Sequence, residues 1–65
     1  PPRFDLLGVV SDSQRAIAVL RRKEDGLHFR VEAGDRIDGW QVRQVEKQAV
    51  RIRWENGEEI TLKVF

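Results

Sequence analysis

The side chains that could carry out chemistry in this sequence are few, and the single histidine, His28, is the first to consider. It lies between Leu27 and Phe29 in an alternating apolar segment, where a lone histidine is usually an outward-facing surface residue. Because the sequence contains no cysteine and no second histidine, it lacks the ligands of a structural zinc site, and it can form no disulfide. We therefore expect neither a metal nor a cofactor.

The closest pairs of carboxylates are Asp35 with Asp38 and Glu58 with Glu59. General acid–base catalysis requires carboxylates in a cleft, where their pKa values are pushed apart. Both pairs fall in turn segments, where acids are normally solvated. The sequence also has no glycine-rich phosphate loop and no nucleophile beside a base. We therefore expect that the protein is not an enzyme.

The two tryptophans suggest a different chemistry, since Trp40 and Trp54 lie among Arg43, Arg51 and Arg53. Small barrels bind single-stranded nucleic acid through aromatic side chains in basic grooves. Both tryptophans, however, alternate in phase with the apolar positions, and a chain of 65 residues needs their area inside. We expect core tryptophans and keep a small SH3- or OB-like barrel that binds single-stranded nucleic acid as the alternative function.

Composition points to one small domain with mixed charges. The chain has 65 residues, of which 40% are hydrophobic, and no apolar run long enough to cross a membrane. Its 12 basic and 11 acidic residues are interleaved, whereas binders of nucleic acid or membranes usually concentrate positive charge. We therefore expect no nucleic-acid partner and no membrane contact from this segment. Residues 1–3 are predicted to be a leader, and residues 4–65 to be a single β domain.

The stretch Gly34–Trp40 organises the chain. Two glycines bracket Asp-Arg-Ile-Asp, a composition typical of a corner between extended segments. The sequence therefore predicts an all-β fold, a small sandwich or partly open barrel of two three-stranded antiparallel sheets that meet at this corner. The six predicted strands span residues 4–11, 15–21, 27–31, 40–46, 50–55 and 59–64. A helix over residues 15–21 is the alternative, but seven residues without a cap favour a strand.

The first predicted strand is apolar on both faces, with Leu6, Gly8 and Val10 on one side and Leu7 and Val9 on the other. No Lys, Glu or Pro lies between Leu6 and Ser11 to discourage pairing with another chain. This pattern is typical either of a buried central strand or of an open edge that awaits a partner. The glycine suggests a bulge or a close approach of another backbone.

The third and fourth predicted strands give less regular patterns. Leu27, Phe29 and Val31 are predicted to face inward. Between Val42 and Val45 the alternation is broken, which indicates a bulge.

The last hairpin has a register that can be predicted. Pairing residue 54 with residue 58 aligns the apolar faces and opposes Arg53 to Glu59, with Gly57 in the left-handed position of a three-residue loop. The predicted pairs are therefore Ile52 with Ile60, Val50 with Leu62, and Arg53 with Glu59.

Several segments, taken together and in order, carry a family resemblance. They are Leu6-Leu7-Gly8-Val9-Val10, Arg15-Ala16-Ile17-Ala18-Val19-Leu20, Val31-x-x-Gly34-Asp35-x-Ile37-x-Gly39, Val42 through Val45, Val50-x-Ile52 and Asn56-Gly57-x-Glu59-x-x-Leu62. This series resembles the homology-region domain of the inner-membrane GspC (XcpP-like) subunit of type II secretion machines. The PilP lipoprotein of type IV pili has a similar domain, so both assignments stay open.

The resemblance implies a periplasmic, non-enzymatic binding module in a protein anchored in the bacterial inner membrane. Its implied partner is the N-terminal periplasmic domain of the outer-membrane secretin, and the full-length protein would also contact other inner-membrane platform subunits. The family uses its first strand and the start of its second for contact. Carried over by position, this indicates Leu7, Val9, Val10, Ser11, Arg15 and Ile17. The charged loop at residues 22–25 and the charged strand at residues 50–55 depart from the family pattern and leave the individual contacts open.

Overall fold

Strands account for every regular element of the structure, a computed structural model that describes residues 3–64. The predicted leader therefore lies outside the described residues, except for Arg3. The strands are β1 Phe4–Ser11, β2 Ala16–Arg22, β3 His28–Val31, β4 Arg36–Ile37, β5 Trp40–Val45, β6 Ala49–Trp54 and β7 Glu59–Lys63. Because Ala16–Arg22 is extended, the helix alternative for residues 15–21 is wrong. Residues 3–64 contain no helix that is long and apolar enough to cross a bilayer.

The seven strands form two antiparallel sheets that do not close into a barrel. The first sheet has the order β1-β2-β3 and the second has the order β4-β5-β6-β7. The all-β prediction is confirmed, and the arrangement is that of a small sandwich. The second sheet, however, has four strands where the sequence predicted three.

The additional strand lies inside the stretch that was predicted to be a simple corner. Arg36–Ile37 pairs with the start of β5 through a two-residue turn at Asp38 and Gly39, whose φ values are 49° and 84°. An Asp-Gly turn of this kind requires positive φ at both positions. The chain crosses between the sheets just before it, where the Asp35 N–H donates to the Glu32 carbonyl at 3.0 Å. The corner therefore lies at residues 32–35.

The core follows the predicted alternation in most strands. Ala18, Leu20 and Ile52 are completely buried. The full buried set is Phe4, Leu6, Ala18, Leu20, Val31, Val42, Val50, Ile52 and Leu62. The prediction that Leu27 faces inward is wrong: its side chain is 52% exposed, because β3 begins one residue later.

The predicted irregularities and register are confirmed. The β6–β7 ladder pairs Ile52 with Ile60 and Arg53 with Glu59, and Gly57 has a φ of 94°. One register shift lies in β5 between residues 42 and 44, and another lies in β1 between residues 6 and 8.

An arginine ties the two sheets together at one end of the sandwich. Arg22, at the end of β2, donates to Asp38 of the second sheet at 2.8 Å and to Asp25 at 2.9 Å. Its guanidinium also lies 4.8 Å from the centroid of the Phe29 ring. The two carboxylates raise the pKa of Arg22, and its hydrogen bond lowers the pKa of the Asp25 carboxyl. These contacts fix one end of the sandwich.

Candidate functional site

The turn between β1 and β2 is held by one side chain. The Asp12 carboxylate accepts hydrogen bonds from the backbone N–H groups of Gln14 at 2.8 Å and Arg15 at 2.9 Å. These two donors lower the pKa of Asp12, because they stabilise the charged carboxylate. The turn therefore has a defined geometry that places Arg15 directly before β2.

Arg15 is exposed and bears a single loose ion pair. Its Nε atom lies 3.5 Å from Oε1 of Glu32, and the two side chains are 62% and 42% exposed. An exposed pair of this kind contributes little to stability. The guanidinium therefore remains available to a partner.

The hydrogen-bonding direction of β1 decides which of its backbone groups are unpaired. The Asp12 N–H donates to the Arg15 carbonyl at 2.9 Å, so these two residues form a hydrogen-bonded pair. Opposite residues alternate between bonded and non-bonded pairs in an antiparallel ladder. The backbone groups of Val10 therefore face β2, whereas those of Val9 and Ser11 point away from it.

The outer edge of β1 is covered at one end only. Leu6 forms a parallel bridge with Val64, which places the end of the chain against the first half of the strand. Within residues 3–64, no strand or bridge lies beside Val9 or Ser11 on that side. Two N–H and two C=O groups at this edge can thus bond a strand from another chain. The alternative in which β1 is a buried central strand is wrong, because β1 is the edge of its sheet.

The bulge changes which side chains of β1 face the core. Leu7 has no opposite residue in β2, and the alternation restarts after it. As a result Val9 packs against the core and Val10 is 66% exposed on the outer face. The predicted faces, with Val10 on the side of Leu6, are therefore wrong beyond the bulge.

Most of the predicted contact residues lie on or beside β1, some through their side chains and some through backbone groups at its edge. Val10 lies opposite the half-buried Ile17 on the outer face of the first sheet. Ser11 lies opposite Ala16, on the other side of the strand, and its side chain is exposed. Val9 contributes only backbone groups, since its side chain packs inward, and Leu7 is half-buried at the bulge.

One residue of this surface was not among the predicted contact residues. Val19 is half-buried and lies opposite Gly8, on the same outer face as Val10 and Ile17. Ile17 and Val19 are two residues apart in a predicted strand, and this spacing could have indicated from the sequence that they share a face. We call the unpaired edge of β1 at residues 8–11, together with Val10, Ile17, Val19 and Arg15, the β1 docking surface.

The two tryptophans do not form an open aromatic platform. Their ring centroids lie 5.0 Å apart with the planes tilted by 56°, and both side chains are half-buried at the end of the sandwich. A methyl group at position 39 would lie only 2.7 Å from Cζ3 of Trp54, so this indole packs directly on Gly39. The prediction of core tryptophans is confirmed only in part, because neither belongs to the buried core: Trp40 is half-buried against the core cluster, and Trp54 is half-buried against Gly39.

The tryptophans and the nearest arginine of β6 belong to opposite sides of the second sheet. Trp40 lies opposite Trp54 on the core side of the second sheet, whereas the neighbouring Arg53 lies opposite Glu59 on its outer side. At the end of the sheet, however, Arg36, Gln41 and Arg53 line one recess together with both tryptophans.

Groups that could hold a metal ion are not clustered in the described part of the chain. No set of three or more His, Cys, Asp or Glu side chains comes together among residues 3–64. His28 is exposed on β3, as predicted.

Comparisons with protein-family models, with curated proteins and with solved structures found no match for this chain.

Proposed function

We propose that this domain is a non-catalytic protein-interaction module that receives a strand from its partner at the β1 docking surface. Strand addition of this kind obtains affinity from main-chain hydrogen bonds and specificity from the side chains beside them. The observation that carries the proposal is the unpaired edge at Val9 and Ser11 beside the exposed Val10.

The β1 docking surface recognises a partner through backbone groups and through side chains. The four backbone groups of Val9 and Ser11 fix the register of an incoming strand. Val10 and Ile17 offer it an apolar contact on the outer face, and Arg15 offers a charged contact at the end of the turn. Because only about four residues of the edge are accessible, the interface belongs to the small and weak class, which buries less than about 1,200 Å² in total.

The partner we propose is the N-terminal periplasmic domain of a type II secretion secretin. The support is the ordered series of motifs that resembles the GspC homology region, together with an all-β sandwich whose first strand lies at an edge. In this role the domain lies in the periplasm as part of a protein anchored in the inner membrane. It links the inner-membrane platform to the outer-membrane secretin.

Titration calorimetry against that secretin domain tests the proposal. Val10→Glu places a charge in the apolar part of the surface, and Arg15→Glu reverses its charged part. Thr61→Glu and Lys47→Glu are the matched controls, because they make the same charge changes at exposed positions away from β1. We expect each surface variant to weaken binding about tenfold or more, a loss of at least about 1.4 kcal/mol.

The controls should bind as the wild type does, and all four variants should keep the wild-type melting temperature within a few degrees. Unchanged affinity in both surface variants would show that the partner binds elsewhere. Val9→Ser is less suitable as a test, because Val9 packs against the core and its loss would also change stability.

A further inference from the structure

Strand β7 lies at the edge of the second sheet, and its hydrogen bonds with β6 decide which of its backbone groups point outward. At the start of the strand the Trp54 N–H donates to the Glu58 carbonyl at 2.7 Å, so these two residues form a hydrogen-bonded pair. Bonded and non-bonded pairs then alternate along the antiparallel ladder. The backbone groups that point away from β6 are therefore those of Glu59, Thr61 and Lys63.

This outer edge is not covered by another strand. Among residues 3–64 the sheet order places nothing beyond β7, and the isolated bridge between Val64 and Leu6 begins only after the last residue of the strand. Glu59, Thr61 and Lys63 are also exposed, and they share the outer face of the sheet. The edge is therefore open to another strand beside Glu59 and Thr61.

The charges on this edge make β7 complementary to a second copy of itself. Glu59, Thr61 and Lys63 occupy alternate positions, with the uncharged residue in the middle. When two copies of β7 pair antiparallel about Thr61, each Glu59 lies opposite Lys63 of the other copy, and the two Thr61 residues lie opposite each other. Opposite charges and Thr–Thr pairs are both favourable at opposite positions of antiparallel strands.

Other alignments of two copies are disfavoured by the same charges. Because outward backbone groups occur at every second residue, the register can slip only in steps of two residues. A slip of one step places Thr61 opposite one of the charges and leaves no pair of opposite charges. A slip of two steps opposes Glu59 to Glu59 or Lys63 to Lys63, and a parallel in-register arrangement also places like charges side by side. Like charges at such positions are destabilising, so charge complementarity selects one antiparallel register.

Existing ion pairs leave both charges available for this contact. No ion pair formed within residues 3–64 includes Lys63, and the residue opposite it in β6 is Ala49. Glu59 contacts the Arg51 side chain through Oε1 at 3.6 Å, and the two side chains are 40% and 43% exposed. The Oε2 atom of Glu59 can therefore accept a hydrogen bond from a lysine of another copy.

We propose that two copies of this chain associate through β7, in an antiparallel pairing centred on Thr61 that joins their second sheets into one continuous sheet. The inference does not rest on the proposed function, because the β1 docking surface belongs to the other sheet. The two-fold axis runs perpendicular to the joined sheet, so both first sheets lie on the same side of it. An edge of five residues gives an interface of the small and weak class, so the association is weak.

Sedimentation equilibrium and an NMR dilution series test the proposal over about 0.05–2 mM protein, a range suited to a weak interface. The wild-type domain should dimerise, and the Thr61 amide signal should shift with concentration. Glu59→Lys and Lys63→Glu should each weaken dimerisation about fivefold or more, because each variant turns both charge pairs into repulsive ones. Lys47→Glu is the matched control: it makes the same charge change as Lys63→Glu at an exposed position outside β7, and it should dimerise as the wild type does.

Two further variants separate the register from net charge. An equal mixture of Glu59→Lys and Lys63→Glu should form a heterodimer about as readily as the wild type forms its dimer, because every charge then lies opposite its opposite. Thr61→Pro changes no charge; it removes the outward N–H at the centre of the interface and keeps the β6–β7 ladder. It should prevent dimerisation.

Four outcomes would overturn the proposal. The wild type could stay monomeric up to about 2 mM, where even a weak interface should be populated. Lys63→Glu and Lys47→Glu could weaken dimerisation equally, which would indicate net charge alone, or the mixture of charge variants could fail to associate. The concentration-dependent shifts could also be confined to Val9 and Ser11, which would assign self-association to β1. Melting curves show whether each variant is folded, and Lys63→Glu and Thr61→Pro decide the test if Glu59→Lys, which also loses its contact with Arg51, is unstable.

Discussion

A proline at Ser11 is predicted to weaken partner binding while leaving the domain intact. The Ser11 N–H points away from β2, and its side chain is exposed. Proline removes that N–H and is tolerated on an edge strand whose N–H faces outward. The substitution therefore deletes one of the four edge groups and keeps the β1–β2 ladder. One net hydrogen bond contributes about 0.5–1.5 kcal/mol, so the dissociation constant should rise about 2- to 13-fold.

Val10→Pro is the matched control, because the Val10 N–H faces β2. Its loss leaves a carbonyl of β2 without a donor and should cost about 1–3 kcal/mol of stability. In a domain of this size, each kcal/mol lowers the melting temperature by about 4–8 °C. Calorimetric titration and thermal denaturation of both variants separate the two effects. The reasoning is wrong if Ser11→Pro binds as tightly as the wild type, or if it is as unstable as Val10→Pro.

Two further predictions concern the ends of the sandwich. Gly39→Ala should destabilise the domain by about 2–4 kcal/mol and shift the tryptophan emission, because a left-handed φ is combined with a Cβ at 2.7 Å from Trp54. Gly26→Ala, with a φ of 75° and open space around its Cβ, should cost only about 1–2 kcal/mol and leave the emission unchanged; equal costs would contradict the packing argument. The second prediction concerns Asp25, because Arg22 lowers the pKa of its carboxyl from 3.8. The charged Asp25 therefore stabilises the folded state above pH 3.8, and this stabilisation is lost as the pH falls through the lower pKa of the folded state. In urea denaturation, Asp25→Ser should be less stable than the wild type at neutral pH, and a difference that persisted unchanged at pH 2 would contradict this prediction.

Sequence patterns predicted the last hairpin correctly because two independent signals agreed there. Only one register aligned the apolar faces and also opposed Arg53 to Glu59, and the structure has this register. The bulge in β5 was also predictable, since an odd step between apolar residues leaves a visible break in the alternation.

The strand β4 could not be found by periodicity, because two residues contain no period. Its only signal was the Asp38-Gly39 dipeptide, which is typical of a tight hairpin turn as well as of a wider corner. The faces of β1 were assigned on the assumption of unbroken alternation. The bulge at Leu7 reverses that alternation, so the exposed side chain is Val10 and the inward one is Val9.

The sequence could predict the β1 docking surface only in part. The edge at β1 was indicated by an apolar segment without residues that discourage pairing, although which backbone groups are unpaired depends on the turn at Asp12. The nearness of Arg36 and Arg53 on the second sheet could not be predicted, because these residues come together only through pairing across three strands.

Amide hydrogen exchange of β1, measured by NMR with and without the secretin domain, tests the central claim most directly. In the isolated domain, the Val10 amide should exchange slowly, whereas the amides of Val9 and Ser11 should exchange rapidly. Addition of the secretin domain should slow exchange at Val9 and Ser11. The claim is contradicted if these two amides are already protected in the isolated domain, or if the partner protects other residues and leaves them unchanged.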